Sequence, residues 1–198
     1  MISVYVVTDD VIHLDATSLR VLAHPLRSRL LSQLRLHGPA TATELADRLV
    51  TNTGATSYHL RKLESVGLVA DTGEGTGKRR LWKASTRGHG WTPSDFSGDP
   101  AAEASLAWLT RHYQSQLAVR VERWAETQHR WPEAWQDTLG SGVDGVTVTS
   151  AQARAMWDEI AAVTRRYRDA GAGDPDAIRI QVWTHVLPTE DAIPGERS

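Results

Sequence analysis

The chain has no cysteine, one phenylalanine and two methionines among its 198 residues. The missing cysteine excludes disulfides, thiolate metal sites and thiol nucleophiles. No apolar run approaches the roughly 20 residues that span a bilayer. The opening MISVYVVTDD lacks the basic-then-apolar order of a secretion signal. A soluble, cytoplasmic protein is expected. No Ser/His/Asp arrangement with an elbow motif is visible, so no enzyme activity is expected, and no cofactor. The eight histidines do not cluster: His89, His112, His129 and His185 fall in separate predicted elements. No metal site is predicted, since a site needs several ligands converging. His24, beside Pro25, reads as a packed residue.

What is present is an asymmetry of charge. The net charge of −2 conceals a basic part: residues 14–88 hold 12 Lys and Arg against 6 Asp and Glu, and the remainder holds 10 against 18. Such a division is expected when one part of a chain meets a polyanion.

The basic part reads as a series of short elements. Ile2, Val4 and Val6 alternate in a predicted strand over 2–7. Asp15 caps a helix to about His24. Pro25 opens a second, with Leu26, Leu30, Leu31 and Leu34 at helical spacing. Gly38-Pro39 stops it. Thr41-Ala-Thr-Glu44 has the form of a capping box, ahead of Leu45, Ala46 and Leu49. Asn52 suits the N-cap of a helix over about 53–66, with Leu60 and Leu63 inward and Gly67 at its C-terminal end. LVADT and RRLWKAS flank the glycine-rich GEGTGK, a hairpin. GEGTGK departs from a phosphate-binding loop, which needs one more residue before Gly-Lys and then a helix.

A helix that enters a DNA groove must offer polar groups at its N-terminal turns. Asn52, Thr53, Gly54, Ala55, Ser57 and Tyr58 occupy those turns, and Arg61 follows one turn later. His59 and Lys62 suit phosphates. Lys78, Arg79 and Arg80 at the hairpin tip suit phosphates or a minor groove, although Arg80 has the alternative of an acid at the hairpin base.

AHPLRSRLLSQL, ATELADRL, TGATSYHLRKLESVGLV and the closing RRLWKAS together resemble the ArsR-type winged helix-turn-helix repressors of bacteria, over residues 14–86. The likeness to actinobacterial members with a C-terminal unit of unassigned effector is similar in kind. The resemblance implies a dimeric repressor that leaves its operator when an effector binds. It implies that Asn52 to Lys62 form the recognition helix with its cap, and Lys78 to Arg80 the wing. The metal-sensing members use cysteine pairs or Asp/His sets that this chain lacks, so the resemblance does not extend to metal sensing.

STRGHGWTPSDFSGDP, residues 85–100, is rich in Gly, Pro and Ser, and a linker is expected over 87–100. Domains are therefore expected at 1–86 and 101–198. From Ala101 to His129 no Pro or Gly occurs. Leu106, Leu109, Tyr113, Leu117, Val121 and Trp124 recur at three and four, a predicted dimerisation seam. A short helix follows Trp131. A strand at GVTVT, a helix capped by Thr149 and Gln152, and an alternating strand over 177–187 make a small C-terminal α+β unit. Trp108, Trp157 and Trp183 are candidates to line a pocket for a small organic effector.

The fold class expected is α+β: an N-terminal winged helix-turn-helix, a long dimerisation helix and a small C-terminal α+β unit. The function expected is a sequence-specific, homodimeric DNA-binding regulator on a near-palindromic double-stranded operator, with no membrane partner. The alternative is a winged-helix module for protein contact or general DNA contact, without an effector.

Overall fold

Asp15 begins the first helix as its sequence position suggests. Its carboxylate accepts from the Ser18 backbone N–H at 2.8 Å, and α1 runs over Ala16–Leu22. In this computed structural model residues 10–75, 77 and 79–189 are described. The strand expected at 2–7, and Lys78, lie outside them.

The first described strand, β1, is Val11–His13. Helix α2 spans Pro25–His37, with proline at its start, where no N–H is needed. The His24 ring caps it, Nδ1 accepting from Leu26 N–H at 3.2 Å. A two-residue strand, β2 (Ala40–Thr41), leads into α3 (Ala42–Leu49) through the predicted capping box: the Glu44 carboxylate accepts from Thr41 N–H at 2.7 Å. Helix α4 is Thr53–Glu64, and Asn52 accepts from Ala55 N–H at 2.7 Å. Gly67, at φ +71°, ends it. Leu68 N–H bonds to Leu63 C=O and Gly67 N–H to Glu64 C=O, the Schellman pattern that satisfies two terminal carbonyls.

Strands β3 (Val69–Asp71) and β4 (Leu81–Ala84) pair antiparallel, Ala70 opposite Lys83, and β2 joins β4 on its other side. The three-stranded sheet has the order β2-β4-β3 and carries the wing. Helix, helix, turn, helix, wing is therefore the observed plan, and the α+β class holds.

The expected linker is corrected. Gly88–Gly90 forms β5, which pairs in parallel with β1: Val11 with Gly88, Ile12 with His89, His13 with Gly90. His89, Trp91 and Phe96 are buried. Composition marked the stretch as loose, but Trp91 and Phe96 are large apolar groups, and their burial outweighs the cost of ordering Gly and Ser. A single 3₁₀ turn over Pro93–Phe96 passes the chain to α5, Pro100–Thr127, capped by Asp99.

Two residues of the expected dimerisation seam, Leu106 and Leu109, are engaged within the chain itself. Ala102, Leu106 and Leu109 are buried in the same core as Leu14, Leu19, Leu22, Leu30 and Leu60. The first half of α5 thus closes its own domain, which a period alone cannot distinguish from a seam facing a partner. Leu117 and Trp124 are half-buried, and Val121 is exposed.

Beyond α5 lie a short helix α6 (Glu133–Gln136) and α7 (Ser150–Arg166), whose capping box is complete: Thr149 N–H donates to Gln152 Oε1 at 2.9 Å. Neither strand expected in this unit forms a ladder. Residues 142–149 and 177–187 have no strand assignment, because no neighbouring chain segment meets their backbone groups.

Candidate nucleic-acid interface

Three side chains and a cap fix the attitude of α4. Thr56, Leu60 and Leu63 are buried, and Thr56 Oγ1 donates to Asn52 C=O at 3.0 Å. These inward positions leave Thr53, Gly54, Tyr58, Arg61 and Lys62 exposed, with Ala55 and Ser57 half-exposed. Tyr58 is 55% exposed, and Lys62 Nζ lies 5.8 Å from the centre of its ring. That cation–π contact holds the ammonium beside the phenol on one face.

The geometry gathers elements that the sequence separates. A cleft of about 180 Å³ is lined by Thr41, Ala42 and Thr43 at the start of α3, Thr53, Ser57 and Arg61 on α4, and Arg79, Arg80 and Trp82 of the wing. A wider, more open hollow of about 400 Å³ lies along the wing between Asp71, Gly73, Gly75, Gly77 and the two arginines. Helix N-terminal N–H groups, hydroxyls and guanidinium groups converging on one concave face are the donors a phosphate backbone requires.

Two expected contacts stand differently. The His59 ring packs on His24, centroids 4.5 Å apart, and edge-on to Tyr58; its Nδ1 is buried with no hydrogen-bond partner. It is turned toward the start of α2, and its ring contacts are with His24 and Tyr58. Burial, with His24 and Arg27 adding to it, holds its pKa below the usual histidine range. Arg80 lies 3.6 Å from Glu64 and 3.5 Å from Asp71 and rests over the Trp82 ring. It ties the wing to the end of α4, as the alternative reading allowed, while remaining half-exposed at the cleft.

Sequence reasoning missed Thr43 and Trp82 as cleft residues and took Thr41 only for a cap. The capping box was the available signal, since it sets the start of α3 at the surface beside the wing. It also missed a polar cluster behind the domain. Arg35 donates to Thr86 C=O at 3.1 Å and to His89 Nδ1, and Tyr113 Oη lies 2.8 Å from His89 Nε2. Arginine only donates, so Nδ1 accepts and the proton sits on Nε2, which donates to the phenol oxygen. Burial lowers Arg35 to about 10, holds His89 well below its usual range and raises Tyr113. Of the three effector candidates, Trp108 stacks on His112 at 4.8 Å, and Trp157 and Trp183 are half-buried.

Helix-turn-helix with a wing is the class this arrangement defines. A family described as a helix-turn-helix domain matches residues 22–72, from the end of α1 past β3. No curated protein matches the chain. Among solved structures, reduced HlyU from Vibrio cholerae is 24% identical, covering 48% of this chain and 83% of its own, at a TM-score of 0.31. The transcriptional regulator Tm0710 from Thermotoga maritima is 13% identical, covering 76% and 85%, at 0.30. Likenesses this loose carry no argument about function. No helix among the described residues is long and apolar enough to cross a membrane.

Proposed function

We propose that the chain is a sequence-specific DNA-binding transcriptional regulator, a homodimeric repressor of the ArsR type with domains at 1–86 and 101–198, the stretch between them and the first turns of α5 packed into the core of the first. The observation that carries the DNA-binding reading is the cleft shared by the start of α3, the outer face of α4 and the wing. In this reading Asn52, Thr53, Gly54, Ala55, Ser57 and Tyr58 approach base edges and sugar-phosphate. Arg61, Lys62 and Arg79 meet phosphates, with Lys78 assigned from sequence alone. Two recognition helices then meet one face of near-palindromic DNA about 34 Å apart. Leu117, Val121 and Trp124, the outer half of α5, continue the dimer surface. Release by a small organic effector against Trp108, Trp157 or Trp183 completes the reading.

The test is binding to DNA from upstream of the chain's own gene against scrambled DNA across a salt series. The expected result is preference for the upstream site, two chains per site, with log K falling by about 0.9 per neutralised phosphate against log salt. Salt-insensitive binding to a protein with no DNA shift would leave a protein-contact module in its place.

A further inference from the structure

A helix seated in the major groove has a wall of phosphates on each side, one from each strand. The groove is about 12 Å wide, and a helix with its side chains is about 10–12 Å across, so both flanks of α4 come near a strand. The cleft and the wing occupy one flank, along Thr53, Ser57 and Arg61. Each helical position turns by about 100°, so His59 stands about 200° from Ser57, on the other flank. Tyr58 and Lys62 form the ridge between. No cation assigned above serves that second flank.

The sequence supplies one there. No acid occurs from Ala16 to Thr43, while four arginines do. Three are engaged elsewhere: Arg20 pairs with Asp99, Arg29 reaches Leu49 C=O at the end of α3, and Arg35 is bound to Thr86 and His89. Arg27, in the first turn of α2, lies beside α4. Its charge acts on the Tyr58 phenol and on the His24 and His59 imidazoles, whose ring centroids are 4.5 Å apart. Its Nε donates to Val21 C=O, which fixes the guanidinium plane and leaves the terminal N–H groups without a partner among the described residues. It pairs with no carboxylate among them. Lys62, 5.8 Å from the centre of the Tyr58 ring, adds a second cation. A guanidinium with free terminal N–H groups presents the paired donors that fit a phosphate.

We propose that Arg27, with Lys62 and the Tyr58 hydroxyl beside it, is a second phosphate-binding point for DNA. Helix α4 is then held against one strand by the cleft and wing, and against the other by the first turn of α2. The His24–His59 stack lies between the two helices and sets the distance of Arg27 from α4. This rests on the DNA-binding reading above and adds the strand that the cleft leaves uncontacted.

Binding of the full chain to DNA from upstream of its own gene, and to scrambled DNA, across a salt series tests it. Arg27→Ala is expected to weaken both several-fold and to reduce the slope of log K against log salt by about 0.9 per chain. Arg27→Lys keeps the charge without the Nε bond and should restore the slope. Arg111→Ala, which removes an exposed cation on α5, should match the parent. Phosphate ethylation interference with the unaltered chain keeps the test sound if Arg27→Ala misfolds: the blocking phosphates should lie on both strands facing one groove of each half-site. Arg27→Ala with the parent's slope, a loss confined to the upstream sequence, a folded Arg27→Lys that keeps the reduced slope, or blocking phosphates on one strand only would overturn the proposal. Failure of the unaltered chain to bind DNA is seen before any variant is made, and it removes the regulator together with this point. Binding by the unaltered chain with an indifferent Arg27→Ala removes this point alone.

Discussion

Val50 sits at φ +52°, the one non-glycine residue among those described with a positive φ, and its side chain is 93% exposed. A β-branched residue there clashes with its own backbone, and no packing compensates. Val50→Asn should therefore raise stability by about 1 kcal/mol, seen as a higher thermal midpoint. His89 gives a pH dependence of fixed sign. The unfolded imidazole titrates near its ordinary value, and burial, then Arg35, holds the folded one well below it. The stabilisation is complete above the unfolded pKa and is lost as pH falls below about 6.5, by up to about 1.4 kcal/mol per pH unit. His24 and His59 shift the same way and add to it. Denaturant midpoints between pH 7 and 5 should show the fall, and His89→Gln should flatten it at lower overall stability. Arg61 is exposed, lines the cleft and has no acid partner among the described residues. If it meets a guanine, Arg61→Ala costs about 1–3 kcal/mol and relaxes one operator position. An equal loss on every sequence assigns it to phosphate.

At the scale of elements, the wing depends on one glycine. A Cβ on Gly75 would lie 2.0 Å from the Arg79 backbone oxygen, so the turn must open to admit it. Gly75→Ala should lower DNA affinity several-fold while the melting of the helices barely changes, because the tip carries no core residue. What the sequence disclosed follows the same division. Asp15, Thr41 with Glu44, Asn52, Gly67 and Thr149 with Gln152 act within a few residues, and each helix end they mark is observed. The inward turn of His59 was not legible, since it depends on His24, 35 positions away in sequence. The parallel β1–β5 pair was not legible either: its strands are three residues long and its second strand reads Gly-His-Gly. The two C-terminal runs show the converse. Alternation was plain, but alternation states a preference for a buried face and does not supply the neighbour.

At the scale of the whole molecule, the winged-helix domain is larger than its sequence motif. The motif ends near residue 86, but the core takes in Trp91, Phe96, Ala102, Leu106 and Leu109. Arg35, His89 and Tyr113 bond across the same junction, tying α2 to α5 through the chain between them. A fragment of residues 10–86 should be unfolded by circular dichroism, and one of 10–113 should melt cooperatively. Similar melting of both would mean that the added segment only decorates a finished domain.

The clasp of β1 by β5 also sets an order of events at the ribosome. Val11 is made early and waits for Gly88, and the hydrophobic seat closes only when Leu109 has left the exit tunnel. At about 5–20 residues per second, the nascent helix-turn-helix spends several seconds with its leucines uncovered. During that interval the growing chain is a client for whatever shields apolar segments in the cell, and its yield will be sensitive to how quickly codons 87–109 are read.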